Sequence, residues 1–317
     1  MNGIERFRDE IERVFEEASR ELAELPAELR ELGRALLLRS HPLRNGGGTN
    51  AISFLLPYWL QEEAGAPTEL CHHLAVGNLY AMLHFFILDD AMDGGTGRFP
   101  SGKRKSMALG QMLHVYFRRR YGRYFPLDSP LWTYERDYME QWASAMNREG
   151  SSPADPRDFR QLAGKAAPVK LCAAGLLIGA GQEERIADME TAVDLALAVL
   201  QLSDDWTDWR EDLDEPNRNA FLTLVREVLA GAAEGPLDER LVKRAIYRRR
   251  CLGRLADIAA GYGDRLRRIE GVPIHLAEFQ LAVEQGLREE ARKIDETVDE
   301  LASGGGLTQI LSNSINK

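Results

Sequence analysis

One stretch indicates both the fold and the chemistry of this chain: Phe85-Phe86-Ile87-Leu88-Asp89-Asp90-Ala91-Met92-Asp93. Large apolar residues lead into three carboxylates at positions i, i+1 and i+4. In a helix, Asp89 and Asp93 lie on one face, one turn apart, with Asp90 beside them. Like charges at this spacing destabilise an isolated helix, so the pattern favours a site that binds a cation.

A second acidic cluster lies more than a hundred residues later, in Gln201-Leu202-Ser203-Asp204-Asp205-Trp206-Thr207-Asp208-Trp209-Arg210-Glu211-Asp212. On a continuous helix, Asp204, Asp208 and Asp212 share one face. A single aspartate cluster is common on helix surfaces, but two clusters within apolar helical segments are difficult to explain as solvated faces. We expect the two acidic faces to meet across a helical cavity and to hold Mg²⁺ against a diphosphate.

The composition argues against a nucleic-acid-binding protein and against a metal site built on cysteines. The 317 residues are 44% hydrophobic, which is ample for a large core, and the net charge of −10 gives no basic footprint for nucleic acid. The three cysteines, Cys71, Cys172 and Cys251, are far apart and lack metal-ligand spacing. No signal peptide and no run of 18 apolar residues is visible, so we expect a cytoplasmic protein without a membrane span.

Apolar periodicity predicts an all-α fold, in which a single-domain helical bundle encloses a central cavity. No segment has a convincing period of two residues. We expect the domain to cover residues 1–303 and the residues from 304 to 317 to form a short flexible tail. Residues 51–63 form a mostly apolar segment. Helices are predicted over 4–23, 26–40, 69–93, 106–121, 131–148, 156–180, 183–212, 219–230, 237–268 and 273–302.

Three motifs together resemble those of the superfamily of trans-isoprenyl diphosphate synthases and class I terpene synthases. Asp89-Asp90-Ala91-Met92-Asp93 resembles the first aspartate-rich motif, and Leu200–Asp208 resembles the second, FQxxDDxxD, with leucine in place of phenylalanine. Gly164–Leu171 resembles the segment whose lysine contacts the allylic diphosphate. The resemblance covers about residues 40–220 and implies an all-α bundle with a central active site.

The resemblance also implies roles for individual residues. Mg²⁺, about three ions, would be the cofactor, a prenyl diphosphate the substrate, and a homodimer the assembly. The six aspartates of the two motifs would be the catalytic residues: Asp89, Asp90, Asp93, Asp204, Asp205 and Asp208. The metal ligands would be Asp89, Asp93, Asp204, Asp208 and Asp212. The substrate would contact Arg98, Lys165, Arg218, Phe85, Phe86, Gln201 and Trp206.

Two departures from the family pattern predict which reaction the chain catalyses. Chain-elongating members carry a GGKxxRP-like segment that binds isopentenyl diphosphate, but this chain reads Gly47-Gly48-Thr49-Asn50-Ala51-Ile52-Ser53. They also carry an RRG sequence, of which Arg98-Phe99-Pro100 keeps only the first arginine. Groups for one allylic diphosphate are kept and those for a second diphosphate are absent. We therefore predict a terpene synthase, a cyclase or lyase that ionises one prenyl diphosphate.

Two alternatives remain open. The chain would be a chain-elongating prenyltransferase if Arg44 or Arg118-Arg119-Arg120 supplied the missing cations. It would be a non-catalytic partner subunit of a prenyltransferase if it were inactive with every allylic substrate and activated a partner enzyme. Keeping both aspartate motifs argues against the second alternative.

Overall fold

The computed structural model describes residues 2–45, 49–92, 103–230 and 236–302. Within these ranges the regular elements are all helical, which confirms the predicted all-α fold class. The first part of the chain forms α1 (Asn2–Glu5), α2 (Arg8–Leu22), α3 (Ala27–Ser40), α4 (Pro42–Asn45), α5 (Ile52–Trp59), α6 (Gln61–Ala64), α7 (Thr68–Met92) and α8 (Lys103–Gly122). The second part forms α9 (Leu131–Arg148), α10 (Phe159–Ala163), α11 (Leu171–Gly179), α12 (Ile186–Asp208), α13 (Ala220–Leu229), α14 (Glu239–Arg249), α15 (Cys251–Leu266) and α16 (Ile274–Ala302).

The predicted helix over 156–180 is interrupted in its middle. Gly164–Lys170 forms a 3₁₀ segment between α10 and α11, and Pro168 lies inside it. Proline has no N–H to donate, and its ring clashes with the preceding turn of an α-helix. Pro168 therefore accounts for the interruption of the predicted helix.

Two other predicted boundaries are wrong. The predicted helix over 237–268 is two helices, because Arg250 has a left-handed backbone conformation with φ of 51°. Its N–H bonds to the carbonyl of Ala245 and ends α14, although neither glycine nor proline marks the break. Helix α8 begins at Lys103, three residues before the predicted start at 106.

The helices cluster into two compact units. The first unit comprises Met1–Trp142, Ala166–Val193 and Glu270–Phe279, and the second comprises Ala143–Lys165, Asp194–Ile269 and Gln280–Lys317. Each unit draws on three separate stretches, so neither is a continuous piece of the sequence. The predicted domain boundary at residue 303 stays a prediction.

Helix α7 is the centre of the first unit, where α5 and α8 pack against it. Most of its side chains are buried, because the helix is apolar nearly all the way round. Gly77 allows α8 to approach closely, since a Cβ at this position would lie 2.9 Å from Cε2 of the buried Tyr121. Thr68–Met92 and Phe159–Gly179 are apolar and long enough to cross a membrane, but most of each is buried within the protein, as in core helices.

A buried polar network, here called the Glu17–Arg120 network, joins α2, α5, α7 and α8. Glu17 contacts Arg120, and its Oε2 lies 2.6 Å from Nε2 of His72. Nδ1 of His72 lies 2.8 Å from the Tyr58 hydroxyl, and Arg120 Nη2 also donates to Glu21 over 2.8 Å. Burial by itself raises the pKa of Glu17, but hydrogen bonds from His72 and Arg120 outweigh burial and lower it to about 2.

In the second unit, α13 packs against α14 and α15. Helix α15 approaches α16 at Gly263, where a Cβ would lie 2.7 Å from Nε2 of Gln280 and 2.8 Å from Oε2 of Glu284. The side chain of Asn219 caps α13 by accepting a hydrogen bond from the backbone N–H of Leu222. This cap places the start of α13 beside the end of α12, where the second acidic cluster lies.

Candidate active site

The first acidic cluster lies at the C-terminal end of α7, in the first unit. Asp89 and Asp90 are half-buried on its last turns, which confirms that the cluster ends a long apolar helix. Asp93 and Arg98 lie outside the described residues, as do Gly47 and Gly48. The ligand roles predicted for this cluster, and its approach to the second cluster, stay predictions.

Aromatic packing lies directly N-terminal to these aspartates. The half-buried Phe85 ring packs 5.3 Å from the Trp142 ring and lines a mostly apolar cavity of about 20 Å³, together with His114, Phe117, Glu135, Tyr138, Met139, Pro168 and Leu171. This volume is little more than the ~10–15 Å³ that one water molecule needs. Phe86 is half-buried beside Phe85. Phe85 is part of this packing, and its predicted contact with the substrate stays a prediction.

The carboxylates of the second acidic cluster differ in burial. Asp204 and Asp208 are exposed, one turn apart at the end of α12, whereas Asp205 is buried. Asp205 accepts hydrogen bonds from Gln201 Nε2 over 2.7 Å and from the backbone N–H of Ala220 over 2.7 Å. Burial raises the pKa of Asp205 to about 7. Asp204 and Asp208 are thus accessible to a ligand, while Asp205 and Gln201 hold the start of α13 against α12.

Asp212 does not continue the acidic face of α12, and the predicted face of three aspartates is wrong. Helix α12 ends at Asp208, and Asp212 lies in the 3₁₀ segment Glu211–Asp214. There it accepts a hydrogen bond from Asn219 Nδ2 over 2.8 Å, and the same amide donates to the backbone carbonyl of Asp205 over 2.8 Å. Because the chain changes direction after Asp208, the Asn219 side chain can bond to both Asp205 and Asp212.

Lys165 and Arg218, the two cations predicted to contact the diphosphate within this unit, meet at one carboxylate. Arg218 Nε donates to Oε1 of Glu149 over 2.9 Å, and the Lys165 ammonium donates to the same oxygen. Arg218 Nη1 also donates to Glu215 over 3.2 Å. Lys165 lies near enough to Asp205 for its charge to oppose the rise in the pKa of that carboxyl. Lys165 therefore lies near the buried Asp205 of the second acidic cluster.

Trp206, predicted to contact the substrate, has two structural partners. Its indole N–H donates to Glu290, and its ring packs edge-on against Phe221 with centroids 5.1 Å apart. Both contacts lie within the second unit and fix the indole between α12, α13 and α16. Its substrate role stays a prediction.

Sequence reasoning missed two residues that shape this region and one buried lysine in the first unit. Glu149 follows α9 and joins Lys165 to Arg218, and Asn219 joins Asp205 to Asp212. Lys170 is only 2% exposed and donates to Gln141 Oε1 over 2.7 Å in the first unit. Asn219 had a usable signal as a capping residue before an apolar helical run. Glu149 had none, since its partners lie 16 and 69 residues away.

The donors in the second cluster suit Mg²⁺, which is a hard cation and takes one or two protein carboxylates together with water and phosphate oxygens. Asp204 and Asp208 supply two exposed carboxylates of this kind. Across the parts of the chain that the structure describes, no group of three or more His, Cys, Asp or Glu side chains is arranged to hold a metal ion. The fit to Mg²⁺ in this unit therefore rests on the two exposed aspartates alone.

The chain is similar to known proteins in its three-dimensional structure. No family model and no curated protein sequence matches the chain. The geranylgeranyl pyrophosphate synthetase from the archaeon Geoglobus acetivorans is 18% identical, with a TM-score of 0.60 over 92% of this chain and 99% of that one. The geranylgeranyl pyrophosphate synthase from Corynebacterium glutamicum is 19% identical, with a TM-score of 0.58 over 90% and 93%. The geranylgeranyl pyrophosphate synthetase from Pyrococcus horikoshii is 17% identical, with a TM-score of 0.54 over 93% and 98%. This chain thus shares the all-α fold of these three proteins.

Proposed function

We propose that this chain is an Mg²⁺-dependent enzyme that acts on an allylic prenyl diphosphate. The observation that carries the proposal is the grouping of exposed Asp204 and Asp208 with Lys165 and Arg218 in one unit. Carboxylates suit a hard cation, and charge-assisted donors bind phosphate oxygens strongly. A cytoplasmic location and a homodimer remain predictions from the sequence.

Each group would have a separate task. Asp204 and Asp208 would hold Mg²⁺ in the second unit, and Asp89 keeps the metal-ligand role predicted from the sequence. Bound Mg²⁺ supplies Lewis acidity, which draws negative charge from a leaving diphosphate. Lys165 and Arg218 would orient the diphosphate, and Asp205 would keep the turn between α12 and α13 in place.

Within this chemistry, we propose chain elongation as the reaction. The named structural neighbours are geranylgeranyl pyrophosphate synthases, and their likeness over at least 90% of this chain favours elongation over the cyclase reaction expected from the motifs. An elongating enzyme would join the allylic substrate to isopentenyl diphosphate. It would need cations for that second diphosphate.

The structure distinguishes among the arginines suggested to bind isopentenyl diphosphate, which are Arg44 and Arg118-Arg119-Arg120. Arg120 is only 7% exposed and belongs to the Glu17–Arg120 network. Arg118 pairs with Glu135 and lies 4.0 Å above the Trp132 ring. Arg44 and Arg119 are exposed. These two are therefore the stronger candidates for contacts with isopentenyl diphosphate.

Cyclisation remains the second candidate, and one sequence observation favours it. The segment Gly47–Ser53 carries no lysine or arginine, and Phe99 replaces an arginine of the elongating pattern. A diphosphate without cationic partners binds poorly, because charge-assisted hydrogen bonds are the strong ones. An enzyme of this kind would ionise one prenyl diphosphate and release a cyclic or linear terpene.

A single product assay separates these functions. The purified full chain is incubated with Mg²⁺ and geranyl, farnesyl or geranylgeranyl diphosphate, with and without isopentenyl diphosphate, and products are identified by mass spectrometry. A longer prenyl diphosphate that forms only with both substrates supports elongation. Hydrocarbon or alcohol from the allylic substrate alone supports cyclisation. Inactivity with every substrate contradicts both and favours a non-catalytic subunit.

The Asp208→Asn variant tests whether the second cluster carries the activity. Asp188→Asn is the matched control, because Asp188 is exposed in the first turn of the same helix α12. Both variants lose one negative charge. We expect only the Asp208 variant to lose product formation, and equal activity of the two variants would contradict the assignment.

A further inference from the structure

Glu149 makes an unusual pair of contacts at the candidate site. One oxygen atom, Oε1, accepts hydrogen bonds from both Lys165 and Arg218. Two like charges are thereby held next to each other, an arrangement that would be repulsive without the carboxylate between them. The pairing gives a compact group of two cations and one anion, of which Lys165 lies near Asp205.

The burial of these three side chains shows which of them a ligand can reach. The Glu149 side chain is 8% exposed, whereas those of Lys165 and Arg218 are 34% and 26% exposed. The carboxylate therefore lies beneath the cations, and the cations form the accessible surface. A lysine has three donors and an arginine five, so contact with one carboxylate oxygen does not use all the donors of either side chain.

Hydrogen bonds to the backbone hold the segment after Glu149 against the segment before Arg218. The chain turns at Gly150, whose φ is 74°, and its carbonyl accepts a hydrogen bond from Asn217 Nδ2 over 3.3 Å. The backbone N–H of Ala154 donates to the carbonyl of Asn217 over 2.9 Å. The turn that carries Glu149 is thus bonded to the turn that carries Arg218.

We propose that Glu149 is a positioning residue, which holds Lys165 and Arg218 side by side as a two-cation site for the diphosphate group of the substrate. This inference rests on the proposed function and names a residue that the family motifs do not include. Glu149 acts through the two cations and needs no contact with the substrate. Its negative charge stabilises both cations in one place.

If Glu149 instead competed with the substrate for the two cations, its removal would change diphosphate affinity in the opposite direction. A carboxylate that competed with the substrate for the cations would have to be displaced on binding. Its removal would then strengthen the binding of diphosphate. Because Glu149 is more buried than either cation, the geometry points to support rather than competition.

Inorganic pyrophosphate is the probe, measured by titration calorimetry with the full chain in the presence of Mg²⁺. Glu149→Ala is expected to weaken pyrophosphate binding by about tenfold, because it removes the anion of a mostly buried charge group. Glu149→Gln keeps an acceptor oxygen in the same place and is expected to restore part of the affinity. In the product assay, the KM for the allylic diphosphate should rise more than kcat falls.

Glu227→Gln is the matched control, because it removes one negative charge from the same unit at a site where Glu227 pairs only with the exposed Arg157 among the contacts described. It should bind pyrophosphate within about twofold of the wild-type protein, as expected for a surface pair. This control separates local positioning from a general change in net charge.

Each outcome decides the proposal. Binding by Glu149→Gln that equals or exceeds that of the wild type overturns it, as does a change in melting temperature without a change in pyrophosphate affinity. If Glu149→Ala fails to fold, Glu149→Gln alone decides. A wild-type protein that binds no pyrophosphate and forms no product contradicts the proposed function itself. A wild-type protein that does both, with Glu149 variants that match it, contradicts only the role of Glu149.

Discussion

The two units each contain a carboxylate that binds more than one cationic or polar side chain, but the two groups differ in exposure. In the Glu17–Arg120 network the arginine is 7% exposed and the carboxylate 24% exposed. Around Glu149 the order is reversed, with the carboxylate buried and both cations partly exposed. A buried cation serves packing, whereas an exposed cation above a buried anion can bind a ligand. The first group should therefore govern stability and the second should govern substrate binding.

The largest effect is expected from Arg120→Met. The substitution leaves Glu17 and Glu21 without their shared cation and should lower the free energy of unfolding by about 3–5 kcal/mol. Urea denaturation measures this change. Arg119→Met is the control, since Arg119 is exposed on the same helix and should stay within about 0.5 kcal/mol. Similar losses in the two variants would break the contrast between the units.

The second-largest effect is expected from a substitution in the second acidic cluster. Asp208→Asn should lower the rate of product formation by at least about 10²-fold, because it removes a predicted metal ligand worth several kcal/mol in the transition state. Its free energy of unfolding should change by less than about 0.5 kcal/mol, since Asp208 is exposed. An Asp208 variant that is fully active, or one that is unfolded, would contradict this division of roles.

A smaller effect is expected from Lys165→Met. Loss of one charge-assisted contact to phosphate should raise the KM for the allylic diphosphate by about tenfold. Steady-state kinetics measure the change, and Arg160→Met is the control because Arg160 is an exposed cation five residues earlier. If both variants raise KM equally, the effect comes from net charge, and the site around Glu149 loses its support.

The smallest effect is on the pH dependence of stability. The pKa of Glu17 is lowered from 4.5 to about 2. The contribution of its carboxylate to the free energy of unfolding is therefore present above pH 4.5 and is lost as the pH falls through 2. Melting temperatures of Glu17→Gln should therefore depend less on pH between 5 and 2 than those of the wild type. Glu16→Gln, which changes an exposed neighbour, should keep the wild-type profile. Parallel profiles for all three proteins would contradict the lowered pKa.

Most of the helices could be predicted because helical periodicity is a local property of the sequence. The prediction over 131–148 matches α9, and the position of Asp89 and Asp90 at the end of a long apolar helix is confirmed. The break at Arg250 was missed because a left-handed arginine leaves no mark in composition. The end of α12 at Asp208 was missed because hydrogen bonds from Asn219 turn the chain, and these form only after folding.

By itself, the sequence determined the all-α class and the spacing of its acidic clusters, because periodicity and spacing need only neighbouring residues. It also showed which cations of the elongating pattern this chain lacks. Only the tertiary structure decided that Asp205 is buried while Asp204 and Asp208 are exposed. It also decided that Glu149 joins Lys165 to Arg218. Burial and long-range pairing depend on which helices pack together, and residues 16 and 69 positions apart carry no local signal of their contact.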